Sequence, residues 1–314
     1  MRAVSAPAES LSVTRIPSGE AAAYGPVGRS AWLDVDWRSH QHWVNVAGNP
    51  VNTVEIGSGP PIVFIHGLSG CWPNWLEQIG ALSASHRVIA MDLPGFGHSP
   101  MPAEPISMEG YARTLDGLLT ELGVGPAALV GNSMGGLIAS EIAISFPARV
   151  RHLVLVSPAG ISTQRESMAS GRAFSAMMGL ERALATGGGF LAARSDAVAR
   201  HRRLREAGLR LVVAHPSALP PSIASELVRG AGKPGFMPAL RSMLGHDLRS
   251  RLGLVACPAL VVWGGSDRAL PVRDGEVFTR LIPDAREVIF EDTGHLSMLE
   301  RPAAFNAVLG EFLG

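Results

Sequence analysis

The chain has 314 residues, 46% of them hydrophobic and only 17% charged, which excludes disorder across the main body and supplies enough apolar surface for a large core. Twenty-seven basic residues balance 27 acidic ones, so there is no broad basic field for nucleic acid or an anionic membrane, and a small-molecule substrate is expected. The two cysteines, Cys71 and Cys257, are too few for a disulfide framework and lack the spacing of a zinc site.

Residues 1–30 are rich in Ala, Ser, Pro and Gly and have no charged start followed by an apolar core, so they read as a flexible leader on a cytoplasmic protein. No stretch approaches 18 consecutive apolar residues, and no membrane span is expected. From His42, HWVNVAG and VNTVEIG alternate apolar and polar residues around Asn49-Pro50, which predicts a β-hairpin. The following strands are continuous β-branched runs, the pattern of burial on both faces: PIVFIHG (61–67), RVIAMDLPG (87–95), AALVGNS (127–133), VRHLVLVSP (150–158) and ALVVWGGSD (259–267), closed by REVIFEDTGH (286–295).

Helices are predicted between them over 72–84, 107–123, 133–146, 272–282 and 302–313. In the second, Ser107 is a candidate N-cap, Leu115, Leu118, Leu119 and Leu122 repeat at helical steps, and Gly123 ends the run. This alternation predicts an α/β fold, a mostly parallel eight-stranded sheet with helices on both faces. It fails once, between Pro158 and Pro258, where helical stretches occur without a convincing strand. The expected division is therefore a core of 31–160 and 251–314 with an inserted helical lid over 161–250. Phe174 and Met177 in that insertion, together with Trp72, are candidates for an apolar substrate pocket. Arg194, Arg200, Arg202, Arg203, Arg205 and Arg210 crowd its centre, and read as a solvated outer face or as a clamp for an acidic substrate.

GNSMG (131–135) has the form G-x-S-x-G, after a buried strand and at the start of a helix. Small residues flanking Ser133 permit a sharp strand-to-helix turn, which exposes the hydroxyl at a helix N-terminus. A serine hydroxyl needs a base and the base needs an orienting group. His295 follows the last strand behind a glycine, and Asp267 ends the strand before it; Asp292 is too close in sequence to His295 to be as well placed. The order Ser133, Asp267, His295 is one of the known triad orders. Oxyanion donors are expected at the Met134 N–H, next to the nucleophile, and at Leu68 in HGLSG (66–70).

HGLSG, MDLPGFGHS (91–99), GNSMGG, WGGSD and TGHLSMLERP occur in one order from about residue 42 to the end, and through them the chain resembles a lidded member of the α/β-hydrolase superfamily. The resemblance implies a serine hydrolase of a small to medium, mainly apolar carboxylic ester that needs neither metal nor cofactor; it leaves the oligomeric state open. The same frame serves other chemistries. GNSMGG and CWPNW (71–75) resemble carbon–carbon bond hydrolases of ring-fission products, although those usually carry an aromatic residue after the histidine and this chain has Leu296. A ligand receptor that retains the triad is a third alternative.

Overall fold

The computed structural model describes residues 13–18, 25, 30–163, 193–230 and 232–314. The continuous apolar runs become strands β4 (Pro61–Ile65), β5 (Arg87–Met91), β6 (Ala127–Asn132), β7 (Val150–Val156), β8 (Ala259–Gly264) and β9 (Ala285–Phe290). Each pairs with its sheet neighbours in this set in parallel. Successive residues face opposite sides, and the core divides accordingly. Val63, Ile65, Leu129, Leu153, Leu155 and Val261 belong to one apolar cluster, whereas Ile62, Phe64, Val130, Val154, Val156 and Val262 belong to another.

The hairpin forms between β2 (Gln41–Val46) and β3 (Asn49–Ile56), but it turns at Ala47-Gly48, both at positive φ (48° and 85°), rather than at Asn49-Pro50. Gly48 adopts that backbone without a side-chain penalty. Pro50 instead lies opposite Asn45 within β3, and since β3 meets β5 only from Thr53 onward, its missing N–H interrupts no ladder on that side. The sheet has nine strands, one more than the eight predicted. The additional strand is β1 (Val13–Ile16), which pairs in parallel with β9 at the far edge, giving the order β1-β9-β8-β7-β6-β4-β5-β3-β2. Its four residues are mostly exposed, so an edge strand this short carries no apolar pattern from which to predict it.

Helices α2 (Met108–Glu121) and α3 (Met134–Ser145) pack on one face and α1 (Leu76–Leu82) on the other. The Ser107 hydroxyl accepts from the Gly110 N–H (2.9 Å), and Gly123 leaves the helix at φ 61°. Between β7 and β8 the described residues contain no strand; they form α4 (Ser195–Arg200), α5 (Arg202–Leu209), α6 (Pro221–Arg229) and α7 (Phe236–Gly245). Five of the six arginines singled out there are exposed, but Arg205 is buried and donates to the Leu219 and Ser217 carbonyls (2.8 and 3.5 Å). Phe174 and Met177 lie outside the described residues. The remaining helices are α8 (Arg273–Leu281), α9 (Ser297–Glu300) and α10 (Pro302–Leu313). No helix among the described residues is long and apolar enough to cross a membrane.

Candidate active site

Ser133 sits between β6 and α3 with φ 54° and ψ −116°, a backbone conformation that costs a non-glycine residue about 1–3 kcal/mol. The surroundings over-determine it. The Ser133 N–H donates to the Val156 carbonyl (2.9 Å), and its carbonyl accepts from Gly136 (3.0 Å), Leu137 (3.2 Å) and Ala159 (3.0 Å). The flanking glycines are steric requirements: a Cβ at Gly131 would stand 2.2 Å from the Gly135 carbonyl oxygen, and one at Gly135 would stand 2.2 Å from that of Ile65.

The loop after β4 lies against this turn, since a Cβ at Gly67 would be 3.1 Å from the Ser133 Cβ. His66 Nε2 accepts from the Leu93 N–H (3.0 Å), which leaves the proton on Nδ1 to donate to the Gly67 carbonyl (2.8 Å). Burial also depresses the His66 pKa, so this is a neutral imidazole that shapes the loop. The loop's far end is held by the fully buried Asp92, whose carboxylate accepts from the N–H groups of Trp72 (2.8 Å) and His98 (2.8 Å) and from the Asn52 amide (2.7 Å). Among the described residues the Leu68 and Met134 N–H groups have no hydrogen-bond acceptor.

At the ends of β8 and β9, His295 Nδ1 bonds Asp267 Oδ2 at 2.8 Å, with both side chains buried. Asp267 Oδ1 accepts from the Ala269 and Leu270 N–H groups (2.8 and 2.9 Å), which fixes the carboxylate. With Nδ1–H donated to Asp267, Nε2 is the nitrogen free to take a proton. Asn132, which precedes Ser133, donates from its amide to the Val156 carbonyl (3.0 Å) and to the His295 carbonyl (3.3 Å), tying the serine turn to the histidine loop. Asp292 bonds His215 Nε2 instead (2.8 Å).

Trp72 opens a 3-10 turn (Trp72–Trp75), its ring 5.1 Å from that of Trp37. It lines a cavity of about 270 Å³ with Trp32, Trp37, Leu76, Asp92 and Glu226. Among the described residues, Ser133, Asp267 and His295 do not line that cavity. Asn132, His66 and Asp92 escaped the sequence reading as site residues, although all three lie within quoted motifs. For His66 and Asn132, polarity beside a glycine was the available signal, and only the fold shows what each of the three holds. Among the described residues no cluster of three His, Cys, Asp or Glu is arranged to hold a metal ion.

The sequence profile of the α/β-hydrolase fold matches residues 60–302. The dihydrolipoyllysine-residue acetyltransferase component of an acetoin-cleaving system from Cupriavidus necator is 30% identical over 82% of this chain. The match spans 64% of that protein, less than two thirds of its length. The 2-hydroxymuconate semialdehyde hydrolase of Pseudomonas sp. strain CF600 is 31% identical over 85% of this chain and 91% of its own length. A thermophilic esterase from Thermogutta terrifontis superposes with a TM-score of 0.70 at 26% identity, over 87% of this chain and 97% of the esterase.

Proposed function

The chain belongs to the α/β-hydrolase fold family, and from that premise we propose that it is a serine hydrolase cleaving a small to medium, mainly apolar carboxylic ester through an acyl-enzyme. The observation that carries this reading is the 2.8 Å His295–Asp267 bond, tethered through Asn132 to the turn that exposes Ser133. In the proposed reaction Ser133 Oγ attacks the ester carbonyl while His295 Nε2 removes its proton. The Leu68 and Met134 N–H groups bind the oxyanion, and His295 returns the proton to the departing alcohol. Water, deprotonated by the same imidazole, then attacks the acyl carbonyl; the bond to Ser133 Oγ breaks as His295 returns the proton to that oxygen, releasing the carboxylic acid and the free serine. Asp267 orients the ring and stabilises its protonated form. Trp72, Phe174 and Met177 are proposed to contact the substrate.

A short-chain aryl ester tests this directly. Ser133→Ala should lower kcat by at least about a thousandfold, and wild-type hydrolysis that survives the substitution nearly intact would overturn the assignment.

A second reading, a carbon–carbon bond hydrolase, is favoured by the 31% identity to the semialdehyde hydrolase over 91% of its length. Against it stands Leu296, at the position after the histidine where the resemblance implies that carbon–carbon bond hydrolases usually carry an aromatic residue. Disappearance of the chromophore of a ring-fission dienoate, at a rate exceeding aryl-ester turnover, would select this reading over the ester.

A further inference from the structure

We infer that Glu300 is a positioning residue that makes the placement of His295 depend on docking of the segment inserted between β7 and β8. The inference rests on the proposed triad. Glu300 ends α9 and is fully buried. Its Oε1 accepts from the N–H groups of Gly294 (3.0 Å) and Leu296 (3.4 Å), and its Oε2 accepts from Gly294 (3.1 Å) and from Ala214 of the inserted segment (2.9 Å). One carboxylate thus grips the amides on both sides of His295 and an amide of the insertion.

The intervening amide completes the arrangement, because the His295 N–H donates to the Val212 carbonyl of the same inserted stretch (3.0 Å). Three consecutive N–H groups of the histidine loop therefore end either on Glu300 or on the insertion. The fit leaves no slack: a Cβ at Gly294 would lie 2.7 Å from the Ala214 nitrogen and 2.8 Å from Glu300 Oε1. His215, one residue further on, bonds Asp292 at the start of the loop (2.8 Å).

A carboxylate with no exposure needs several donors to offset its desolvation, and the donors to Glu300 include the amides on both sides of the proposed catalytic base. If the insertion lifts, the His295 N–H loses its acceptor and Glu300 loses the Ala214 donor. The loop is then free to relax, and the imidazole loses its register with Asp267 and Ser133. A displacement of about 1 Å in a reacting group costs on the order of a hundredfold in rate. Glutamine cannot replace this function, since its –NH₂ would face N–H donors.

The test uses the full chain with Glu300→Gln, Glu300→Asp, Ala214→Pro and Ser133→Ala, measured by circular dichroism melting, kcat, KM and the pH profile of kcat/KM on an aryl ester. Glu300→Gln should lower kcat about a hundredfold with little change in KM, shift the apparent pKa of the base, and slow fluorophosphonate labelling of Ser133 in proportion; Glu300→Asp should restore part of the loss. Ala214→Pro, which deletes the donor while keeping the carboxylate, should lower kcat in the same direction, and it decides the matter should Glu300→Gln fail to fold. Folded Glu300→Gln or Ala214→Pro with kcat within about twofold of wild type and an unmoved pH profile would overturn the inference. Activity surviving in Ser133→Ala would instead overturn the triad.

Discussion

Replacing Glu287 by Gln should stabilise the protein above neutrality and leave its stability at acid pH nearly unchanged. Glu287 lies in β9 at 2% exposure, and its Oε1 has no hydrogen-bond partner among the described residues. Burial, followed by the Glu276 charge, pushes its carboxyl up to about 7; the nearby Arg15, already paired with Glu291, opposes this only in part. In the unfolded chain the group releases its proton near 4.5, so between there and about 7 the native state binds more protons than the unfolded state. Stability therefore falls as pH rises through that window. The interval from 4.5 to about 7, at about 1.4 kcal/mol per pH unit, is equivalent to about 3 kcal/mol. With an unfolding entropy of about 2.1 cal/mol/K per residue, that amounts to about 5 °C in Tm for a chain of this length. Melting of wild type and Glu287→Gln at pH 5 and pH 8 reads most of the effect, since pH 5 already lies just inside the window: the variant should gain about 4 °C on wild type between the two. Parallel Tm profiles, or a wild-type Tm that rises relative to the variant, would refute the reasoning.

Two further substitutions probe the frame around the site. Gly135→Ala should cost at least about 1–3 kcal/mol in urea denaturation and prevent folding if the helix cannot shift, because the new methyl would meet the Ile65 carbonyl oxygen at 2.2 Å and its carbon at 2.8 Å. Glu141→Ala should cost about 3–5 kcal/mol, since it strands the buried His246 (3.0 Å) and the Arg251 guanidinium (2.7 and 3.0 Å). Burial raises the Glu141 pKa, but the bonds from His246, Arg251 and Ser145 outweigh it and hold the carboxyl at about 2. Its contribution is therefore present above about 4.5 and lost as pH falls toward 2, so the variant should show a shallower acid limb in fluorescence-monitored unfolding.

The parallel strands were legible because each is a continuous aliphatic run, and Ser107 and Gly123 announced the ends of α2 by cap chemistry alone, whereas the order of the strands in the sheet came only from the structure. Ser133 could be read from its glycine neighbours, whose steric role the structure expresses as 2.2 Å clashes. The hairpin turn was misplaced because Asn-Pro is a turn signal in isolation, whereas the backbone spent its positive φ values on Ala47 and Gly48. Arg205 was grouped with its exposed neighbours because composition does not reveal that the Leu219 and Ser217 carbonyls would be waiting for it. Glu300 was hidden for a similar reason. Backbone amides such as those of Gly294, Leu296 and Ala214 carry no residue-type signal for a carboxylate partner, and Val212–His215 meets it only through the fold.

The pairing of β1 with β9 also fixes an order of events during synthesis. Val13 is translated long before its partner, Glu287, which is made only after strands β2 to β8 are complete. Strand β1 must travel unpaired beside a growing sheet whose accepting edge does not yet exist. Four residues, one of them Arg15, and only Val13 and Ile16 apolar, make a poor template for stray β-association. Of the nine strands, the one made earliest is thus the one that is locked last.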